Sequence, residues 1–189
     1  LDAITWAFDL EAPESIEAFP AGFMNDEIAP YGEICYYQFP AFNGNPPLKV
    51  TWYSGGLRPP RPEGLPEKMS LASRGVLFVG EKGIIQCDGA GGAPRLFPDT
   101  LRSSYQAPKK TLPRSKGHHR DWLDAIKGGA PASSHFEYAA RLTEITLLGI
   151  VALRMAHRIQ WDAAALKVRN TDKAEEMIQG SYRPGWELG

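Results

Sequence analysis

Three segments near the start of the chain combine β-branched and aromatic residues in a way that is typical of β-strands. They are residues 15–19 (SIEAF), 31–39 (YGEICYYQF) and 48–54 (LKVTWYS). Breaks rich in Pro, Gly and Asn separate them, which favours antiparallel neighbours. A hairpin is predicted over residues 75–89, with Glu81 and Lys82 between flanking glycines as its turn. We expect this hairpin to return to the same sheet.

Helical periodicity appears at the start of the chain and again in its last third. Ile4 and Phe8 share one face of an opening helix that no Met and no capping residue precedes, so we expect the sequence to begin inside a larger protein. Ser134 and Glu137 have the spacing of a capping box for a helix that continues to about Ala156. The middle of this long helix is apolar all round. Its second side therefore needs cover from a helix, a subunit or another domain.

A shorter helix is predicted from about His118 to Lys127. Its apolar residues lie on one side, and they are Trp122, Leu123 and Ile126. Two glycines follow, Gly128 and Gly129, and a left-handed C-cap costs least at glycine.

Pro-rich segments separate these elements. Residues 55–74 lose all periodicity and predict an exposed loop, and a second Pro-rich connection is predicted over 93–114. The tail, residues 162–189, is interpreted as a strap with a helical piece near 172–179 and an aromatic end. Together the patterns predict an α+β fold in a single domain, 1–189, with an open-faced, largely antiparallel sheet and helices packed on one face.

Composition limits the partners. The 21 Lys and Arg residues nearly balance the 22 Asp and Glu residues, which argues against nucleic acid and against an anionic membrane surface. The longest apolar run, residues 145–153, is shorter than the roughly 20 residues that span a bilayer. Cys35 and Cys87 each lie in a strand-like segment and are interpreted as free buried thiols. The residues do not fix the compartment; a cytoplasmic location is favoured and export of the parent protein is left open.

Several segments agree in order with one known family. They are VTWYSGGLRPPRP, GVLFVGEKGIIQC, HHRDWLDAIKGGAPASSHFEYAARLTEITLLGIVALR and SYRPGW. Over nearly its whole length the chain resembles the C-terminal domain of bacterial Gfo/Idh/MocA oxidoreductases. The resemblance implies a two-domain parent enzyme. An N-terminal Rossmann domain would hold NAD or NADP, and a C-terminal sheet would shape a site for a sugar and mediate oligomerisation.

The same resemblance predicts that this chain alone binds no cofactor and does not catalyse. The nearest glycine-rich turn, GAGGAP at 89–94, lacks the dinucleotide spacing and leads into Pro94 instead of a helix. The family's Glu-Lys-Pro segment, whose lysine assists proton transfer, has no counterpart here. Leu1 and Asp2 would be the last residues of the family's Gly-x-His-x-Leu-Asp segment. No catalytic, cofactor-binding or metal-binding residue is therefore expected in the chain.

Candidate substrate-binding residues begin with His118 and His119 at a predicted helix start. A zinc site would need more ligands than two histidines that point about 100° apart on a helix. A catalytic pair of His118 with Asp121 lacks a nucleophile. Two interpretations stay open. One is a plain solvated helix start, and the other is a neutral imidazole that hydrogen-bonds a sugar hydroxyl or carboxylate.

Further candidates lie at the end of the third strand. Trp52 could stack on a sugar ring and Tyr53 could orient it, although strand alternation sends one of the two toward the core. Arg58 and Arg61 in the Pro-rich loop could reach an acidic ligand or could be solvated surface charges.

The strands carry aromatic residues at both parities, so one face of the sheet is expected to remain apolar after the helices cover the other. The two groups are Ile34, Tyr36, Val50 and Trp52 against Cys35, Tyr37, Thr51 and Tyr53. We expect at least a homodimer through the open face. An alternative function is a noncatalytic sheet domain that binds carbohydrate or a protein partner.

Overall fold

The computed structural model describes residues 1–187 and has the predicted α+β architecture, with both sheets antiparallel. The helices described are α1 (Asp2–Phe8), α2 (Asp99–Ser104), α3 (His118–Ile126), α4 (Phe136–Met155) and α5 (Lys173–Gln179). The strands are β1 (Ser15–Ala21), β2 (Gly32–Phe39), β3 (Leu48–Tyr53), β4 (Val76–Gly80), β5 (Gly83–Cys87), β6 (Arg95–Phe97), β7 (Ile159–Asp162) and β8 (Lys167–Val168).

The chain forms two compact units. The first comprises Leu1–Arg61 and the chain from Thr143 onward, and its five-stranded sheet has the order β3-β2-β1-β7-β8. The second comprises Pro62–Leu142, and its three-stranded sheet has the order β4-β5-β6.

The hairpin of β4 and β5 forms where it was predicted, with Gly80 paired to Gly83 across the turn. The expectation that this hairpin returns to the main sheet is wrong, because β5 pairs instead with β6, a strand within the predicted Pro-rich connection over residues 93–114. Phe97 of β6 is fully buried against Ile84, and this contact gives the hairpin its own small core.

The first unit has its core between one face of the five-stranded sheet and the helices. Ile16, Tyr37, Val50 and Ile159 occupy this covered face at directly paired positions. α4 approaches the sheet closely at Gly149, where an added Cβ would lie 3.6 Å from the Cys35 sulfur. The helices therefore pack on one face, as predicted.

The second side of α4 is apolar and exposed. Leu148 and Ala152 are buried toward the core, whereas Leu147 is 56% exposed and Ile150 is 44% exposed. The all-round apolar character read from the sequence thus corresponds to one packed side and one uncovered side.

Cross-strand register assigns the faces differently from the sequence-based grouping, which was wrong for β3. Cys35 lies opposite Trp52, and Ile34 lies opposite Tyr53. Because paired residues in an antiparallel sheet share a face, odd positions of β2 join even positions of β3. The predicted grouping had matched positions of equal parity.

Helix ends agree with prediction at α3 and differ at α4. Gly128 has φ +83°, and its N–H donates to the Ala125 carbonyl at 3.0 Å, as expected for a glycine after the helix. α4 begins after His135 rather than after Ser134. The His135 carbonyl accepts from Ala139, and its Nδ1 accepts from Tyr138, so this residue takes the place of the predicted capping box.

The two Pro-rich segments are less uniform than predicted. Between β3 and β4 the chain has no helix or strand, yet Leu65 is buried in the core of the second unit, so this loop is anchored there. The connection over residues 93–114 contains β6 and α2. In the tail, α5 matches the helical piece predicted near 172–179.

Candidate functional site

Trp52 and Tyr53 lie on opposite faces of the main sheet, so they cannot contact one small ligand from the same side. Trp52 shares the helix-covered face with Cys35. It is nevertheless 41% exposed, whereas Val50, two residues earlier on the same face, is 6% exposed. The cover over this face therefore ends between Val50 and Trp52. The inward-facing residue of the pair was expected to pack in the core, and Trp52 does so only partly.

Glu33 lies beside Trp52 on the covered face, although no sequence pattern marks it as a site residue. The register that pairs Cys35 with Trp52 makes Glu33 the diagonal neighbour of Trp52, a separation of about 7–8 Å between backbones that long side chains can bridge. The Ser54 N–H donates to the Glu33 carbonyl at 3.0 Å, and the Glu33 N–H donates to Ser54 Oγ at 3.0 Å. The backbone that carries the carboxylate is thus fixed at the end of the two strands.

Two glycines bring the chain together at this corner. A Cβ at Gly32 would lie 2.8 Å from the Ser54 carbonyl oxygen, and a Cβ at Gly55 would overlap the backbone of Gly32. Gly55 also has φ +64°, a left-handed conformation that glycine adopts without steric cost. The close approach of Gly32 and Gly55 is therefore a packing requirement at this corner.

Glu33 also faces a buried pair, Cys35 and Tyr37. Tyr37 and Cys35 lie side by side on this face, and they are 2% and 1% exposed, respectively. Burial, with a smaller contribution from the Glu33 charge, raises the pKa of the Cys35 thiol to about 12. Burial likewise raises the pKa of the Glu33 carboxyl above its usual range. Both cysteines are free and buried, as predicted.

The other face of the main sheet carries a cluster of aromatic side chains. We call it the open face and define it by Phe19, Ile34, Tyr36, Thr51 and Tyr53. The rings of Phe19 and Tyr36 meet edge to face with centroids 6.1 Å apart, and Phe19 is 50% exposed. The pKa of Tyr53 is raised by partial burial and then by the charge of Tyr36.

Charged side chains flank this open face. The Lys49 ammonium lies 4.8 Å from the centre of the Tyr36 ring, a cation–π contact. Arg158 forms an ion pair with Glu17 at 3.0 Å. The face therefore combines exposed aromatic surface with charges that have partners.

His118 and His119 lie in the second unit and are exposed at the start of α3. Their ring centroids lie 4.0 Å apart with the ring planes tilted by 44°, so the two rings are neighbours although adjacent positions on a helix point about 100° apart. Side-chain torsions, and not only backbone directions, decide where such rings lie. Asp121 accepts from Ser115 Oγ at 2.6 Å, and Ser115 Oγ accepts from the Gly117 N–H at 2.9 Å. This network orders the polar residues at the helix start.

The glycine-rich turn at 89–94 is organised by Asp88. Its Oδ1 accepts from the N–H groups of Ala90 and Gly92 at 2.9 and 2.8 Å. These amides are therefore already engaged by a carboxylate of the chain. A Cβ at Gly92 would lie 2.8 Å from Asp88 Oδ2, so the tight turn accounts for this glycine.

Arg58 is exposed in the loop that follows β3 and lies in the first unit with Trp52 and Tyr53. A small apolar recess lies at the other end of β3, beside Leu48 and Phe8. Within residues 1–187, no cluster of three or more His, Cys, Asp or Glu side chains could hold a metal ion. None of the helices described is both long enough and apolar enough to cross a membrane.

Comparison with protein-family models, with curated proteins and with solved structures found no match to this chain.

Proposed function

We propose that this chain is the substrate-binding and oligomerisation domain of an NAD(P)-dependent oxidoreductase of the Gfo/Idh/MocA type that acts on a sugar or sugar derivative. The observation that carries the proposal is the uneven covering of the five-stranded sheet. Helices pack on one face, and the opposite face presents Phe19, Tyr36 and Tyr53. A sheet with one face packed by helices and one face left open agrees with the domain that the sequence resemblance implies.

In this proposal the chain contributes binding rather than chemistry. Trp52 offers an exposed indole at the end of β3, and Arg58, His118 and His119 are exposed polar groups. NAD or NADP would belong to a Rossmann domain elsewhere in the parent protein. The amides of the glycine-rich turn after β5 donate to Asp88, which supports assigning the cofactor to another domain.

Two measurements test the proposal. The parent protein that contains this chain should reduce NAD or NADP when it is given sugars or their derivatives, as followed by absorbance of the reduced nicotinamide. The isolated chain should show no saturable binding of NAD or NADP below about millimolar concentration in calorimetry. Micromolar cofactor binding by the chain would contradict the division of roles.

The competing function is a noncatalytic sheet domain that binds carbohydrate or protein. The aromatic side chains of the open face suit this function as well as they suit the oxidoreductase domain. A parent protein without a glycine-rich βαβ turn and without nicotinamide-dependent turnover would support this second function.

A further inference from the structure

The corner formed by Glu33 and Trp52 has features of a ligand subsite. Both side chains lie on the helix-covered face of the sheet, where strand register makes them diagonal neighbours. Trp52 is 41% exposed although it stands on this face. Indole surface is therefore accessible next to a carboxylate.

The surroundings of the Glu33 carboxylate also point to a ligand. The side chain is half-buried, and within residues 1–187 it has no hydrogen-bond donor and no ion-pair partner. Its own backbone is held by Ser54 through two 3.0 Å hydrogen bonds, so the Cα from which the side chain extends has a fixed position. Water can reach this partly buried carboxylate, and the hydroxyls of a ligand can take the place of that water.

We propose that Glu33 and Trp52 form a subsite for one neutral sugar ring. The indole stacks on the apolar C–H face of the ring, and the carboxylate accepts hydrogen bonds from two neighbouring hydroxyls. This assignment rests on the proposed function for its choice of a sugar, and it adds Glu33 as a binding residue and a neutral polyol as the chemical class.

The chemistry of the surrounding residues fits a neutral hydroxylated ligand better than an acidic one. A carboxylate repels a second carboxylate or a phosphate, and Cys35 and Tyr37 beside Glu33 are both kept protonated by burial. An alkylammonium ion is the rival ligand, since it could contact the indole face and the carboxylate together. The test therefore includes one.

The experiment uses the 189-residue chain labelled with ¹⁵N-tryptophan, which gives one indole signal for each of its five Trp residues. The Trp52 signal is assigned by its loss in Trp52→Phe. Titration with methyl β-D-glucopyranoside, methyl β-D-galactopyranoside and myo-inositol should move the Trp52 signal saturably for at least one of them. The Trp6 indole, 59% exposed on α1, should not move.

Matched variants locate the binding. Glu33→Gln keeps the shape of the side chain and loses its charge. It should raise the dissociation constant of the sugar by about tenfold or more. Glu11→Gln, at an exposed position, should leave it unchanged. Calorimetry with the sugar that moves the Trp52 signal should show no binding to Trp52→Leu, which lacks the reporting indole, and unchanged binding to Trp6→Leu. Three results would each overturn the subsite. They are the absence of a Trp52 shift with every sugar, an unchanged affinity in Glu33→Gln, and a shift caused by tetramethylammonium alone.

The wild-type titration is decisive without any variant. Trp52→Phe, which retains a ring, provides a milder test of stacking when its affinity for the sugar is measured by calorimetry. Failure of the subsite is also separable from failure of the proposed function. Nicotinamide-dependent sugar turnover by the parent without the Trp52 shift would remove only the subsite. Sugar binding at Trp52 without turnover would keep the subsite and favour the noncatalytic binding domain.

Discussion

Gly149 of α4 stands directly over the Tyr37 hydroxyl of β2. An added Cβ would overlap the hydroxyl oxygen and would lie 3.3 Å from the ring carbon that bears it. The absence of a side chain at this position therefore sets how closely the long helix approaches the sheet. The same added Cβ would lie 3.6 Å from the Cys35 sulfur, so the contact covers both buried side chains.

Gly149→Ala should destabilise the chain by about 1–3 kcal/mol, because it overpacks the contact. In an open helix interior the same substitution stabilises by up to about 1 kcal/mol, so the sign is informative. Urea unfolding followed by circular dichroism measures the change. The double variant Gly149→Ala with Tyr37→Phe should recover part of the loss, because it removes the overlapping oxygen. A stabilised Gly149→Ala variant would contradict the close approach of α4 to β2.

Glu144 and Trp161 provide a second test of the same helix. Glu144 Oε1 accepts from the Trp161 indole N–H at 2.6 Å, and Trp161 is 5% exposed. Glu144→Leu leaves this buried donor without an acceptor and should cost about 1–3 kcal/mol of unfolding free energy. Glu144→Gln retains an acceptor oxygen and should cost clearly less. Equal midpoints for the two variants in urea would argue against the hydrogen bond.

The Cys35 thiol should make stability depend on alkaline pH. Its folded pKa is about 12, above the ordinary value of 9.0, so the folded state retains the proton longer than the unfolded state does. The stabilising contribution is complete below pH 9.0 and falls as the pH rises toward about 12. Cys35→Ala should flatten this decline in urea midpoints measured from about pH 8 to about pH 11.

The same thiol should be inert in the folded chain. At about pH 8, Cys35 and Cys87 should both fail to react with a disulfide reagent until denaturant is added, because both are buried and protonated. Rapid reaction of either thiol in the native chain would show that its site opens.

Self-association should use the open face. We expect a dimer or larger species in light scattering at low micromolar concentration, with an interface above about 1,000 Å². Phe19→Glu, which places a charge at the centre of exposed aromatic surface, should shift the mass toward the monomer. The matched control is Leu147→Glu on the uncovered side of α4, where Leu147 is 56% exposed. Dissociation by Leu147→Glu alone would locate the contact on the helix instead.

Tyr37 of β2 is unsuitable for that test. It is 2% exposed on the helix-covered face, so a charge there would unfold the first unit rather than separate two copies. Tyr53 lies on the open face and is a suitable second position.

The sequence alone determined the existence and type of most elements. The signals that predicted them act within a few residues of the chain: alternation in β2 and β3, apolar spacing in α3 and α4, and the glycines after α3. The structure has these elements where they were predicted. The α+β class followed from their order. Strand β6 and helix α2 escaped because they are short and lie in a Pro-rich segment.

Only the tertiary structure decided which residues share a face. Alternation says that Cys35 and Tyr36 point apart, but the pairing of Cys35 with Trp52 depends on how far one strand slides past the other. The same register brings Glu33 beside Trp52, and no local pattern marks a single glutamate as special. Likewise, the pairing of β5 with β6 depends on packing Phe97 against Ile84, a contact between residues that are distant in the sequence. The covered face, the open face and the candidate subsite are therefore products of long-range packing.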